Sequence, residues 1–215
     1  MTLDTSRADR LLHISASPRG TESESLSIAS TFLQAFTETH PEIEVETIDL
    51  WDGTLPEFGT AAAAAKMAVF AGTDPLGDAA RAWAGVIETF RRFDSADRYL
   101  FSVPMWNAGV PYILKQFIDV ISQPGLVFGF DPAAGYTGLL RGRKAAVIYT
   151  SAVYGPGRTA SFGTDFQQPY FTDWLRWIGI VDIVDVSFRP NLATENAEDG
   201  RRLAHAAARD IAKAF

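Results

Sequence analysis

The sequence predicts a doubly wound α/β fold: a five-stranded parallel sheet in the order 2-1-3-4-5 with helices on both faces. Three observations lead there. Short β-rich runs alternate with longer helical patterns along the chain, the arrangement in which helices cover both sides of a parallel sheet. Five such β-α units follow one another, which suggests the 2-1-3-4-5 order. Finally, 215 residues with 47% hydrophobic content suffice for one well-buried core and are too few for two comfortable ones, so residues 1–215 are read as a single domain.

The first strand covers residues 11–15 and leads to a helix over 26–39. The second covers 43–50, where Ile43, Val45, Thr47 and Ile48 alternate before shifting register. Residues 51–75 hold an alanine run followed by Gly and Pro and read as a partly helical excursion. A helix over 77–93 precedes the third strand, 99–103, which ends at Pro104. After a helix over 112–122, residues 125–138 combine Phe128, Phe130, Tyr136 and four glycines, and read as a hairpin or aromatic loop projecting from the strand ends. The fourth strand, 145–150, follows a basic turn. A helix over 169–178 carries Tyr170, Phe171, Trp174, Trp177 and Ile178 on one broad stripe, suited at least in part to core packing. The fifth strand, 181–188, and a helix over 195–215 close the chain. Outside 61–65 no segment is of low complexity, and no internal repeat is present.

Composition narrows the function. A net charge of −7 disfavours nucleic acid or an anionic membrane as partner, since both require a positive footprint. Five Trp and fifteen Phe supply many flat apolar surfaces, suited to a core, a subunit interface or a planar ligand. Cysteine is absent, which removes disulfides, thiolate nucleophiles and Cys-based metal sites. Residues 1–10 are polar and lack the apolar run of a signal peptide, and no stretch reaches the length of a membrane span, so a cytoplasmic location is expected. His13, His40 and His205 show no metal or triad spacing, and no metal is expected. Hydrolase, zinc-protease and nucleotide-triphosphatase signatures are missing. A bound cofactor would then have to carry any reaction.

In an open parallel sheet, ligands bind beyond the carboxyl ends of the strands where the order reverses. Three loops meet there. The first, Ser17-Pro18-Arg19-Gly20-Thr21-Glu22-Ser23-Glu24-Ser25, brings hydroxyls, backbone N–H groups and a helix N-terminus together as an anion site to which Arg19 adds charge. Serines are also ordinary N-caps, and Ser25 suits that role. Glu22 and Glu24 must point outward if Ser23 and Ser25 point in. The second loop, Pro104-Met105-Trp106-Asn107-Ala108-Gly109-Val110-Pro111, is stiffened by two prolines. It suits the hydrogen-bonding edge of a planar heterocycle, or equally a buried Trp with an Asn-stabilised turn. The third runs from Thr150, Ser151, Ala152 and Val153 to Tyr154. Its Gly155-Pro156-Gly157-Arg158-Thr159-Ala160 matches a dinucleotide fingerprint only by letter, because no helix opens directly after it.

These residues resemble a known family. Ser17-Pro18-Arg19-Gly20 with Ser23-x-Ser25, Pro104-Met105-Trp106-Asn107 with Leu114-Lys115-x-Phe117-Ile118-Asp119, and Gly138-Leu139-Leu140 before a basic turn are similar to the FMN-dependent NADH-azoreductases and related NAD(P)H-quinone reductases. The resemblance implies a flavodoxin-like homodimer with FMN near the interface and NADH or NADPH as electron donor. It also implies a planar small-molecule acceptor, a quinone or azo compound, reduced by ping-pong hydride transfer. Ser17, Ser23 and Ser25 would hold the FMN phosphate, with Arg19 and Glu24 beside them. Met105, Trp106, Asn107 and Ala108 would contact the isoalloxazine, and Thr150, Ser151, Ala152 and Val153 complete the cofactor-binding set. Asn107 is the candidate catalytic group, stabilising charge at the flavin edge. Phe128, Phe130, Tyr154 and Trp177 form the expected substrate pocket, with Trp177 and the Phe128/Phe130 loop supplied by the partner subunit. The chain departs from the family pattern in Trp106 for the usual Tyr, Ala108 for a common Phe, and the absence of a Ser-Arg-Gly-Gly loop after the fourth strand. Two other readings share the fold. A flavodoxin-type electron carrier would not oxidise NAD(P)H directly, and a receiver-like domain would need clustered aspartates where this chain has Ser15-Ala16-Ser17.

Overall fold

The computed structural model describes residues 9–215; most of the polar stretch 1–10 lies outside the described residues. Strands β1 (Arg10–Ser15), β2 (Glu44–Asp49), β3 (Arg98–Pro104), β6 (Lys144–Thr150) and β7 (Asp182–Phe188) form one parallel sheet ordered β2-β1-β3-β6-β7, the predicted winding. The inserted β4 (Phe128–Asp131) and β5 (Gly135–Gly138) make a separate antiparallel hairpin.

Alternation along the strands divides the core in two. Leu12, Ile14, Tyr99, Phe101, Val103, Val147 and Tyr149 face helices α3 (Gly77–Asp94), α4 (Tyr112–Ile121) and α5 (Gln168–Trp177). Leu11, Leu100, Ala146, Ile148 and Val186 face α1 (Glu24–Thr39) and α6 (Ala197–Ala214). Ala204, Ala208 and Ala212 recur every fourth residue on the buried side of α6. Their small side chains allow that helix to lie close to the sheet. The expected stripe on α5 divides as its spacing suggests: Phe171, Trp174 and Ile178 are buried, whereas Tyr170 is exposed. Within the excursion over 51–75, α2 (Thr60–Phe70) forms on the alanine run.

A small polar cluster interrupts the α1/α6 side. His13, in the middle of β1, is buried with Nε2 2.8 Å from Ser102 Oγ and Nδ1 3.4 Å from Thr47 Oγ1. Burial depresses its pKa from 6.5 to about 4, so the ring is neutral at physiological pH. The outer strands are more open and acidic: β2 exposes Glu44 and Asp49, and β7 exposes Asp182 and Asp185.

The register fixes which loops meet. Ser15 is level with Asp49 and Ser102, and Pro104 with Thr150, so the segments after β1, β3 and β6 emerge at one end. The hairpin β4–β5 precedes β6 and projects from the opposite, amino end. It is seated by a close approach of two glycines: a Cβ on Gly138 would lie 2.3 Å from the backbone nitrogen of Gly179. Among the described residues, no helix is long and apolar enough to cross a membrane.

Candidate active site at the carboxyl ends of the strands

The chain leaves β1 through Ala16, whose N–H donates to Ser102 O at 3.1 Å, and reaches Ser17, which is buried. A 3-10 turn over Gly20–Glu22, with Gly20 at φ +51, reverses it into α1. The cap is Ser23 rather than Ser25, two residues earlier than the sequence suggested. Ser23 has extended backbone, and its Oγ accepts the N–H of Leu26 at 3.3 Å. That leaves Ser25 fully buried inside the first turn, its Oγ 3.1 Å from Ser23 Oγ. Ser17, Ser23 and Ser25 thus gather beside the positive end of α1. Of the two acids, Glu22 is exposed, whereas Glu24 stays at the edge of the site with its carboxylate paired to Arg201 of α6 at 2.6 Å, which offsets its charge.

The loop after β3 is more constrained than its prolines alone imply. Met105 N–H donates to Thr150 O at 2.7 Å, tying the loop to β6. Trp106 and Gly109 exchange N–H and C=O bonds of 2.9 Å each, with Asn107 and Ala108 between them at φ +48 and +69. This is a two-residue turn with both central residues left-handed, the type I′ geometry. Asn tolerates that conformation and Ala does so at a cost of about 1 kcal/mol or more. The central N–H groups of the turn find no partner among the described residues, and Asn107 is exposed. Trp106 stands 5.7 Å from Trp51 and 6.2 Å from Tyr112, ring centre to ring centre. Trp51 is itself anchored by an Nε1–H bond to Ala16 O of 3.1 Å.

After β6, Thr150 and Ser151 are buried and Val153 is exposed. Ser151 Oγ donates to Tyr154 O at 3.0 Å, folding the loop back on itself. The Gly155–Ala160 stretch leads into a 3-10 turn, Ala160–Phe162, and α5 opens only at Gln168, as the absence of a true fingerprint requires. Gly155 is needed for packing, since a Cβ there would sit 2.5 Å from Pro190 Cδ.

The three loops enclose a hollow of about 100 Å³ that brings Ser17, Arg19, Ser23, Glu24, Met105, Trp106, Thr150, Ser151 and Ala152 together. Sequence reasoning missed two further walls, Asn191 and Leu192, which follow β7 at the same end. Asn191 N–H donates to Ser151 O at 2.8 Å, and Leu192 N–H to Ala152 O at 3.1 Å. Their position beyond a fifth parallel strand was the available signal. A larger cavity of about 460 Å³ lies at the amino end, lined by Asp9, Arg98 and Lys144, remote from these loops.

The donor set suits a phosphomonoester on a planar heterocycle: three buried hydroxyls, a helix N-terminus and an exposed arginine at one end, and open N–H groups on a rigid turn at the other. Phe128, Phe130 and Trp177 stand elsewhere in this protomer. Phe128 lies 4.7 Å from Trp177, and Phe130 5.0 Å from Tyr136, in an aromatic cluster at the amino end. A seven-residue strand, β6, separates the two ends by roughly 20 Å. Tyr154 alone of the expected substrate pocket belongs to the loops at the carboxyl end. Among the described residues no group of three or more acidic or histidine side chains could hold a metal ion.

Comparison with known proteins identifies the family of this fold. A family model described as flavodoxin-like fold matches residues 9–213. An FMN-dependent NADH:quinone oxidoreductase of Ruegeria pomeroyi is 44% identical over 191 residues, covering 89% of this chain and 94% of that protein. One from Desulfotalea psychrophila is 42% identical and covers 92% of each. The crystal structure of an azoreductase from Bacillus anthracis superposes with a TM-score of 0.88 over 96% of this chain and all of that one, at 24% identity, a likeness of fold. The chain therefore belongs to the flavodoxin-like-fold family, alongside the FMN-dependent NADH:quinone oxidoreductases.

Proposed function

We propose that this protein is an FMN-dependent NAD(P)H oxidoreductase that reduces quinones or azo compounds, working as a cytoplasmic, single-domain homodimer. One observation carries the reading: the Ser17 and Ser23 hydroxyls and a helix N-terminus suited to a phosphate share one hollow with Met105 and Trp106, and the rigid turn with open N–H groups at Asn107 and Ala108 follows directly at its edge. Ser17, Ser23 and Ser25, with Arg19 and the first turn of α1, would hold the phosphate. Met105, Trp106, Asn107 and Ala108 would take the ring edge, and Thr150, Ser151, Ala152 and Val153 the other side. FMN, when bound by these residues, would supply two-electron hydride chemistry between NADH or NADPH and the acceptor. The Asn107 amide and the neighbouring N–H groups would orient the ring and offer hydrogen bonds to negative charge developing at its edge.

The size of the hollow supports assembly. Sites for ligands of this class enclose roughly 300–1,000 Å³, and the hollow of one protomer is about 100 Å³. A second copy would supply the missing cover, and exposed aromatics support that role: Tyr112 on α4, Tyr170 on α5, and Phe130 and Tyr136 on the hairpin. On this reading Phe130, exposed on the hairpin, would reach the site from the partner, with Trp177 behind it; Phe128, expected from the sequence in the same pocket, is instead buried in its own protomer's core.

The test is spectroscopic and kinetic. The purified protein should be yellow, release FMN on denaturation, bleach anaerobically with NADH or NADPH alone, and give parallel double-reciprocal lines with a quinone. A flavin that neither pyridine nucleotide reduces, but an artificial donor does, would make the chain an electron carrier. Failure to retain any flavin after reconstitution would remove the proposal altogether.

A further inference from the structure

The turn at Asn107 and Ala108 poses a physical question. Two-residue turns of this type favour glycine at the second central position, and here that position is Ala108 at φ +69. A left-handed alanine persists only where its surroundings hold it. What holds it lies on the far side of the β6 loop. The carbonyl of Ala108 accepts the N–H of Phe166 at 2.9 Å, and the next residue, Gln167, is fully buried with Nε2 donating to Val103 O at 2.7 Å. Segment 166–167 therefore grips the β3 loop at two carbonyls, one on each side of Met105.

That segment is in turn fixed by a buried charge pair. Asp165 Oδ1 accepts the N–H groups of Gln167 and Gln168 at 3.0 Å each, and its Oδ2 accepts Arg189 Nη1 at 2.7 Å. The Arg189 side chain is 2% exposed and that of Asp165 15%. The guanidinium also donates to the side-chain oxygen of Gln168 and lies 5.4 Å from the Tyr149 ring and 5.5 Å from the Tyr154 ring. Arg189 Nε is buried and has no partner among the described residues, so the pair is incompletely solvated by the protein. A buried ion pair is a poor way to add stability, because desolvation offsets its attraction, but it is well suited to fixing one arrangement of neighbouring backbone.

We infer that Arg189, Asp165 and Gln167 are positioning residues, a buried clamp that imposes the left-handed turn at Ala108 and so aims the N–H groups of the turn. The inference rests on the reading that this turn meets the flavin edge. Arg189 acts on Asp165, Asp165 on the entry to α5, and that entry on the Ala108 and Val103 carbonyls. The long glycine-containing loop after β6 is then an extension tied back to the site at its end.

Four variants test it: Gln167→Met, Asp165→Asn, and each of these combined with Ala108→Gly. Glycine adopts positive φ without strain, so it should free the turn from its dependence on the clamp. In the apoprotein, amide hydrogen exchange at Gly109, whose N–H closes the turn on Trp106 O, reads the turn directly. Loss of a net hydrogen bond should raise that exchange about three- to tenfold in Gln167→Met, and Ala108→Gly should restore it. In the FMN-loaded protein the same pattern should appear in the rate of flavin bleaching by NADH, with the KM for NADH little changed. Unaltered Gly109 exchange would overturn the inference. So would a loss that Ala108→Gly fails to rescue, which would leave the clamp a support of the fold alone. Should Asp165→Asn not fold, Gln167→Met, which keeps the charge pair, decides the matter. If the wild-type protein itself takes no FMN or is not bleached by NADH, the functional reading fails, while Gly109 exchange in the apoprotein still judges the clamp.

Discussion

Replacing Ser17 and Ser23 together by alanine should weaken FMN binding far more than riboflavin binding. Both hydroxyls are 4% exposed and border the same hollow as Arg19. A hydrogen bond to a charged acceptor is worth about 1.5–3 kcal/mol, so losing two costs roughly 3–6 kcal/mol, or a hundred- to ten-thousand-fold in Kd. Riboflavin has no phosphate and should lose less than about threefold on the same arithmetic. Ser23 has a second task, capping α1 through Leu26 N–H. Its loss should cost about 1 kcal/mol of stability and lower Tm by roughly 2–4 °C, whether or not ligand is present. Titrating apoprotein with each flavin, followed by quenching of flavin fluorescence, separates the two effects. Equal losses for FMN and riboflavin would refute the argument, since the serines would then act through the fold and not through the phosphate.

Other expectations concern chemistry and stability. Asn107→Gly keeps the left-handed backbone and removes only the amide; flavin reduction measured by stopped flow should slow by at least about tenfold while FMN affinity changes little, and equal effects on both would argue against a role in charge stabilisation. His13 should make stability fall with acid. Its folded pKa is lowered to about 4 from 6.5, so below 6.5 the unfolded chain binds a proton that the folded one refuses. The contribution is whole above that value and declines through the window down to about 4, by up to ~3 kcal/mol. Urea unfolding of wild type and His13→Gln across that range should show the steeper decline in the wild type; parallel declines would show that the ring does not titrate on unfolding. Gly138→Ala would drive a Cβ to 2.3 Å from Gly179 N and should cost at least about 2 kcal/mol. Gly129→Ala, whose Cβ would meet nothing nearer than Thr137 O at 3.9 Å, is the matching control in a melting experiment.

Much of the fold was legible because it is written locally. Each main strand lies within one residue of the stretch predicted for it, since apolar runs bounded by turn residues are short-range signals. The three loops of the candidate site were legible for a topological reason, as they follow strands at the end of the sheet where its order reverses. Ser23 and Ser25 exchanged roles because serine caps equally well at either place, and only backbone geometry distinguishes them. The chain reversal into the hairpin sets Phe128 and Phe130 at the amino end, which follows from their position between a helix and the strand after it. The Arg189–Asp165 pair left no trace in the sequence. Its partners are 24 positions apart, and Ala108, which they serve, is still further away.

The acidic outer strands limit how copies of this protein can meet. An open sheet edge is a template onto which another strand can add, and two copies joined that way would set β2 against β2, β7 against β7, or one against the other. Each choice would bring acidic strands together, with Asp49 and the Arg10-paired Glu44 on one edge and Asp182 and Asp185 on the other, at a strand spacing of about 4.8 Å. Repulsion at that separation works against a continuous intermolecular sheet. In the proposed homodimer, contact would then fall to the aromatic helix faces, where Tyr112 and Tyr170 stand exposed. The sheet of each copy is a finished body rather than a seed for extension.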